Sequence, residues 1–261
     1  MSKYFAIFRI QLNNNFAYMG NFLMGGAAMV FFMFIFSQLW RVTYGAVGAE
    51  QIGGLRYEDV LWYLMLAEVI ELSKPRLAQG IAQTVRDGSI AYLLSKPYNY
   101  ITYQCSIGLG DSLLKMIMNA VIGGATVWLI VGPPPPAWGW PLVLITVMGA
   151  WLIYFCISAL IGLAAFVTEE VRAFEWIYQK LIFILGGFLI PIDLYPAWLQ
   201  PIAKSTPFAY AIYGPARLFV DPSFTGFGQV VAGQLLWILV LGGLLMLAYR
   251  RGMGWLAING G

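Results

Sequence analysis

Chemistry in this sequence would be sought first at two pairs of charged residues set inside apolar stretches. Glu68 and Glu71 are three residues apart, so on a helix they share a face. Asp111 and Lys115 are four apart and can pair, which lowers the cost of carrying either charge into an apolar setting. Paired carboxylates can divide acid and base roles, or pass protons along an intramembrane relay. Either use needs further groups, and few are present. The sequence has no His, which removes the commonest general base and the commonest metal ligand. It contains no G-x-S-x-G, no H-E-x-x-H and no His/Cys metal spacing, so no nucleophile or metal accompanies Glu68 and Glu71. Cys105 and Cys156 lie far apart in apolar runs and read as free buried thiols. No catalytic, cofactor-binding or metal-ligating residue is therefore assigned. The plainer account of all four charges places them near the cytoplasmic ends of helices, where their head groups reach the interface.

The elements that carry these residues follow from composition. Of 261 residues, 60% are hydrophobic and 10% charged, whereas a soluble domain is about 25% charged. Mean hydropathy is +0.74. A chain this poor in charge presents most of its surface to lipid. The expected fold is all-α: a polytopic membrane protein with six transmembrane helices in a single domain, 1–261. The spans are expected at 22–40, 58–72, 101–131, 141–167, 173–192 and 229–249. No cleavable signal peptide is expected, because a polar and aromatic stretch precedes the first apolar run.

Basic residues orient the spans. With both termini cytoplasmic, Lys3, Arg9, Lys74, Arg76, Arg86, Lys96, Arg172, Arg250 and Arg251 lie inside, against Arg41, Arg56, Lys204 and Arg217 outside. Lys115 and Lys180 fall within spans. Omitting the weakly apolar second span would put Lys74–Lys96 on the same side as Arg41 and Arg56, so six spans give the better account. No basic run is long enough for nucleic acid, and the expected location is the cytoplasmic (inner) membrane, in contact with lipid.

Three connecting segments have their own character. Residues 1–20 carry Phe5, Phe8, Leu12 and Phe16 at helical spacing, which fits an interfacial helix or an ordinary flexible N-terminus. Residues 73–88 form a short amphipathic helix: Ser73 can cap it, Pro75 suits its first turn and Gly88 its stop. Leu77, Ile81 and Val85 make its apolar stripe, with Arg76, Gln79, Arg86 and Asp87 on the remainder. It either connects two spans or docks a cytoplasmic partner. Residues 191–217 hold Pro191, Pro196, Pro201, Pro207 and Pro215 among Tyr195, Trp198, Phe208 and Tyr210. Irregular backbone at membrane depth must pack on protein or line a wet cavity, so this external segment is either an aromatic belt or part of a gate.

Two stretches bring a family into view. Gly88-Ser89-Ile90-Ala91-Tyr92-Leu93-Leu94-Ser95-Lys96-Pro97 resembles the run of Gly, Ile, Leu and a basic residue before Pro that precedes the third span of ABC-2 type permeases. The stretch Phe188–Pro201, continuing to Tyr210, is similar to that family's external re-entrant segment. The resemblance covers the whole chain and implies a permease subunit of an ATP-binding cassette exporter, forming the substrate pathway. It implies that 73–88 is the coupling helix and that an ABC ATPase subunit docks there, with Arg76, Leu77, Gln79, Ile81, Val85, Arg86 and Asp87 as the expected partner-binding residues. It further implies a second permease chain, identical or related, with ATP and Mg bound on the ATPase. The sequence agrees in one respect: it has no G-x-x-x-x-G-K-[ST] loop of its own. A secondary transporter or channel, a membrane-embedded enzyme and a membrane scaffold are the alternatives.

Orientation is directly testable. In a protein lacking Cys105 and Cys156, Ala46→Cys and Gly261→Cys should react with impermeant thiol reagents from opposite sides of the membrane. Labelling from one side would refute the six-span arrangement.

Overall fold

The computed structural model describes residues 2–17, 19–168 and 170–259. In chain order the helices are α1 (Ser2–Ala17), α2 (Met19–Val47), α3 (Tyr57–Leu72), α4 (Ala78–Arg86), α5 (Ser89–Leu94) and α6 (Tyr100–Val131). They continue as α7 (Trp140–Leu163), α8 (Arg172–Leu185), α9 (Leu199–Lys204), α10 (Pro207–Ala211), α11 (Tyr213–Val220) and α12 (Phe224–Asn259). No strand occurs among the described residues, only an isolated bridge between Ile52 and Leu55. Lipid enforces this all-helical outcome, since a helix satisfies its backbone polar groups internally. Met1, residues 260–261 and the side chain of Phe16 lie outside what is described.

Among the described residues, four helical stretches are long and apolar enough to cross a membrane: Gly26–Val47, Tyr100–Val131, Ala137–Phe166 and Phe224–Gly252. The helices expected at 58–72 and 173–192 are shorter. α3 has 16 residues and α8 has 14, about 24 and 21 Å at 1.5 Å per residue, against a hydrocarbon core of about 30 Å. Gly186 and Gly187, the latter at φ +70°, end α8 seven residues before the apolar run does. In the other direction, α2 continues through Arg41 to Val47, so Arg41 is helical and not part of a loop. A single charge does not stop a helix; Gly48, at φ +66°, does. α12 likewise begins five residues before the expected 229 and runs past Arg250 and Arg251.

The core is built around α3. Every residue from Val60 to Glu71 is buried, with α2, α6 and α11 packed against it. Its N-terminal end is fixed by polar contacts. Asp59 accepts from the Arg56 backbone N–H at 3.0 Å, the Tyr44 hydroxyl donates to the Leu55 carbonyl at 2.7 Å, and the Tyr57 hydroxyl to that of Ser37 at 3.1 Å. α12 lies along α7, where Gln234 Nε2 donates to the carbonyls of Thr146 (2.7 Å) and Tyr210 (3.0 Å).

Between α8 and α12 the chain breaks into short helices. Pro201, Pro207 and Pro215 fall in the first turns of α9, α10 and α11, where a missing N–H costs little. The open end of α8 is satisfied by this segment and by α3. The hydroxyl of Tyr195 donates to the Ile184 carbonyl (2.8 Å), the Tyr213 N–H to Gly186 (3.1 Å) and the Tyr63 hydroxyl to Gly187 (2.5 Å). Asp193 ties the pieces together, accepting from the Tyr213 hydroxyl at 2.7 Å and facing Arg217 at 3.3 Å.

α1 is a helix, and it packs on α6. The contact requires Gly110, where a Cβ would stand 2.9 Å from both the Phe8 carbonyl oxygen and Gln11 Cβ. Asn15 Nδ2 donates to the Gly110 carbonyl at 3.1 Å. Gly110→Leu should therefore displace α1 at a cost of about 1–3 kcal/mol while leaving the remaining bundle assembled. Limited proteolysis should cut within residues 2–17 faster in the variant; an unchanged cutting rate would contradict this packing.

Candidate functional site

The segment 73–88 keeps its helix but not its expected start. The Ser73 N–H donates to the Val69 carbonyl at 3.2 Å and closes α3 instead of opening α4. Pro75 disfavours the helical region for Lys74, and the chain runs without helix until Ala78. The cap that α4 lacks locally comes from α7: Ser158 Oγ accepts from the backbone N–H groups of Leu77 (3.1 Å) and Ala78 (3.2 Å). Gly88, at φ +73°, supplies the stop. Asp87 accepts from the Ser89 hydroxyl (2.6 Å) and backbone N–H (3.0 Å), and these bonds hold its carboxyl below the ordinary range.

The two faces of α4 have different fates. Ile81 is 1% exposed and packs on Gly162 of α7, where a Cβ would lie 2.7 Å from Ile81 Cβ. Leu77 is buried as well and Val85 half-buried, so the apolar stripe belongs to the protein's own core and is not open to a partner. Arg76, Gln79, Gln83, Arg86 and Asp87 are exposed. Gln79 donates to the Glu175 carboxylate of α8, across a cleft of about 380 Å³ lined by Lys74, Arg76, Ser158 and Tyr178. Beyond the C-terminus of α4, the Glu170 carboxyl is held below its ordinary range. The Arg172 backbone N–H, at 2.9 Å, is the main cause, and the charges of Arg172 and Arg86 add to it.

A second group of polar side chains sits where α3 meets that crossing. Glu71 pairs with Lys74 and accepts from the Tyr154 hydroxyl at 2.9 Å. The Lys74 ammonium lies over the rings of Tyr178 (5.6 Å) and Tyr154 (5.9 Å), a further stabilisation of buried positive charge. Glu68 Oε2 is buried without a protein partner. Glu68, Glu71 and Lys74 line a second cleft of about 360 Å³, with Phe32 of α2 and Gln179 and Phe183 of α8.

Residues 22–260 match the family described as ABC-2 family transporter protein. The chain belongs to that family. It is an ABC-2 type permease, a multi-pass membrane protein of the transport class, and permeases of this kind generally work with an ABC ATPase subunit. No individual curated protein matches it.

The permease does not gather all its intramembrane charges. Asp111 and Lys115 pair on α6 as their spacing predicts, and Asn15 of α1 reaches Asp111 Oδ1 at 3.5 Å; neither lines the cleft that holds Glu68 and Glu71. The aromatic residues of 191–217 are spread out too. Trp198 is 69% exposed just before α9, Tyr195 bonds to the end of α8, Phe208 packs on Tyr178 with ring centroids 6.2 Å apart, and the Tyr210 carbonyl meets α12 through Gln234. Pro191 is buried. Lys74 could have been found from the sequence, three residues after Glu71. Ser158, Gly162, Tyr154 and Glu175 carry no such signal, because their partners lie some 80 to 96 residues away.

Ser158→Ala strands two buried N–H groups at the start of α4. A loss of about 1–2 kcal/mol should appear as a lower Tm and as faster hydrogen exchange over residues 77–86. Exchange at the wild-type rate there would show that another group caps α4.

Proposed function

We propose that this chain is the permease subunit of an exporter driven by ATP hydrolysis on a separate ATPase subunit, which docks on the exposed face of α4. The observation that carries the reading is the division of α4. One face is locked to α7 through Ser158, Gly162 and Ile81, while Gln83, Arg86 and Asp87 are uncovered. The Ser158 cap ties the start of α4 to α7, which holds the uncovered face in one orientation. With no phosphate-binding loop of its own, the permease must receive its energy through contact. ATP and Mg belong to the ATPase in this reading.

The same reading completes the topology at six spans, with α3 and α8 as the short second and fifth and both termini cytoplasmic. A second permease chain, identical or related, faces the cleft between α2 and α8. Support comes from Glu68, Glu71, Lys74 and Arg76 at that opening, since charge turned to lipid is costly and a second chain enclosing a wet pathway removes that cost. Residues 191–217 close the external end.

Co-purification with the ATPase tests the docking. Arg86→Glu combined with Gln83→Ala should lower ATPase association at least tenfold, about 1.4 kcal/mol, because exposed Arg is a common interface anchor. Glu50→Ala, in the turn after α2, should bind normally. A double variant with wild-type assembly and substrate-stimulated hydrolysis would overturn the assignment. Transport by the chain alone, on an ion gradient, would instead favour a secondary transporter.

A further inference from the structure

α6 and α7 are consecutive and joined by the short turn 132–139, so packing along each other is the ordinary expectation. They do not pack that way. α6 rests on α1, α2 and α3, and α7 on α12, α4 and α11. Between them is a groove of about 500 Å³ with Trp62, Met65 and Val69 of α3 as its floor. Ala120, Gly124 and Ala125 keep the α6 wall low, and Trp128 of α6 and Trp140 of α7 stand at one end. Every lining residue is apolar.

We propose that this groove is a binding site for one acyl chain of a membrane lipid, with the lipid head group at the Trp128 and Trp140 end. Both walls are helices long and apolar enough to span the bilayer, so the groove opens at hydrocarbon depth. The lining offers a polar or ionised solute no charged, hydroxyl or amide side chain, and apolar cavities of this kind stay dry. The two tryptophans sit at helix ends, the level at which Trp meets lipid head groups. In the reading proposed above, a second copy faces the cleft between α2 and α8, away from the α6 and α7 walls of this groove. A flexible chain fits, and its contacts replace those that the unpacked faces of α6 and α7 would otherwise lack. Lipid tails and leucine are equally apolar, so retention depends on shape.

Shape can be altered at one position without disturbing the fold. A Cβ at Gly124 meets nothing within 4 Å, and replacing Gly in a helix favours the helix. Gly124→Leu should fill the groove. Gly45→Leu, equally open and on α2, is the control. Native mass spectrometry of the detergent-purified permease should find about one retained phospholipid per chain in the wild type and in Gly45→Leu, and at least fivefold lower occupancy in Gly124→Leu at unchanged Tm. Ala125→Phe is a second filling variant should Gly124→Leu lose Tm. A phospholipid with a photoactivatable acyl chain should label residues 116–128 and 143–147. Equal occupancy in filled and unfilled proteins, or no retained lipid in the wild type, would overturn the proposal. So would a disulfide-linked dimer formed in membranes by Val121→Cys lacking Cys105 and Cys156, since it would place a second copy over the groove.

Discussion

A helix with no exposed face has to be surrounded, and the burial of α3 from Val60 to Glu71 sets the terms for the rest of the permease. In lipid there is no hydrophobic gain from hiding an apolar helix, so close contact has to do the holding. Gly123 of α6 shows how close: a Cβ there would lie 2.2 Å from Met29 Cε and 3.2 Å from Met65 Cγ, so a larger residue would have to push the Met29 side chain aside where α2, α3 and α6 meet. α11 takes the remaining side, with Phe219 edge-on to Trp62 at 6.0 Å. The proline-broken segment between α8 and α12 folds back to deliver α11 to that place.

The same burial makes the C-terminal end of α3 expensive to disturb. Glu71 and Lys74 are both mostly enclosed, and a buried ion pair adds little net stability by itself. Removing one partner is another matter, at about 3–5 kcal/mol for the charge left behind. Tyr154 of α7 and Tyr178 of α8 share in this pair, so the end of α3 is bound to both later helices by groups that cannot separate cheaply. Glu68, one turn deeper and with an oxygen unpartnered, has no comparable tie.

In two of the long apolar runs the reading and the structure nearly coincide: 101–131, despite Asp111 and Lys115, becomes Tyr100–Val131, and 141–167 becomes Trp140–Leu163 with a further 3-10 turn to Phe166. The misses share a cause. Apolarity marks what lies in lipid, while helices begin and end on backbone conformation and capping. Arg41 interrupts hydropathy without ending α2, and Gly186-Gly187 ends α8 without interrupting hydropathy. At the site, the amphipathic pattern of α4 was legible, but the expected docking set joined Leu77 and Ile81 to Arg86, and both of those apolar residues are buried in the protein's own core. The start of α4 was misplaced because Ser73, a good cap by type, is used by α3, and the residue that does cap α4, Ser158, stands 81 positions beyond Leu77.

That remote cap bears on how the molecule can move. A helix capped by its own chain can swing about its end and keep its hydrogen bonds. α4 cannot, because its first two N–H groups are held by a hydroxyl on α7, and Ile81 sits against Gly162 one turn further along that helix. The two behave as a lever and its axle. A push on α4 either turns α7, carrying α12 alongside it, or breaks bonds that water at the membrane surface would have to replace.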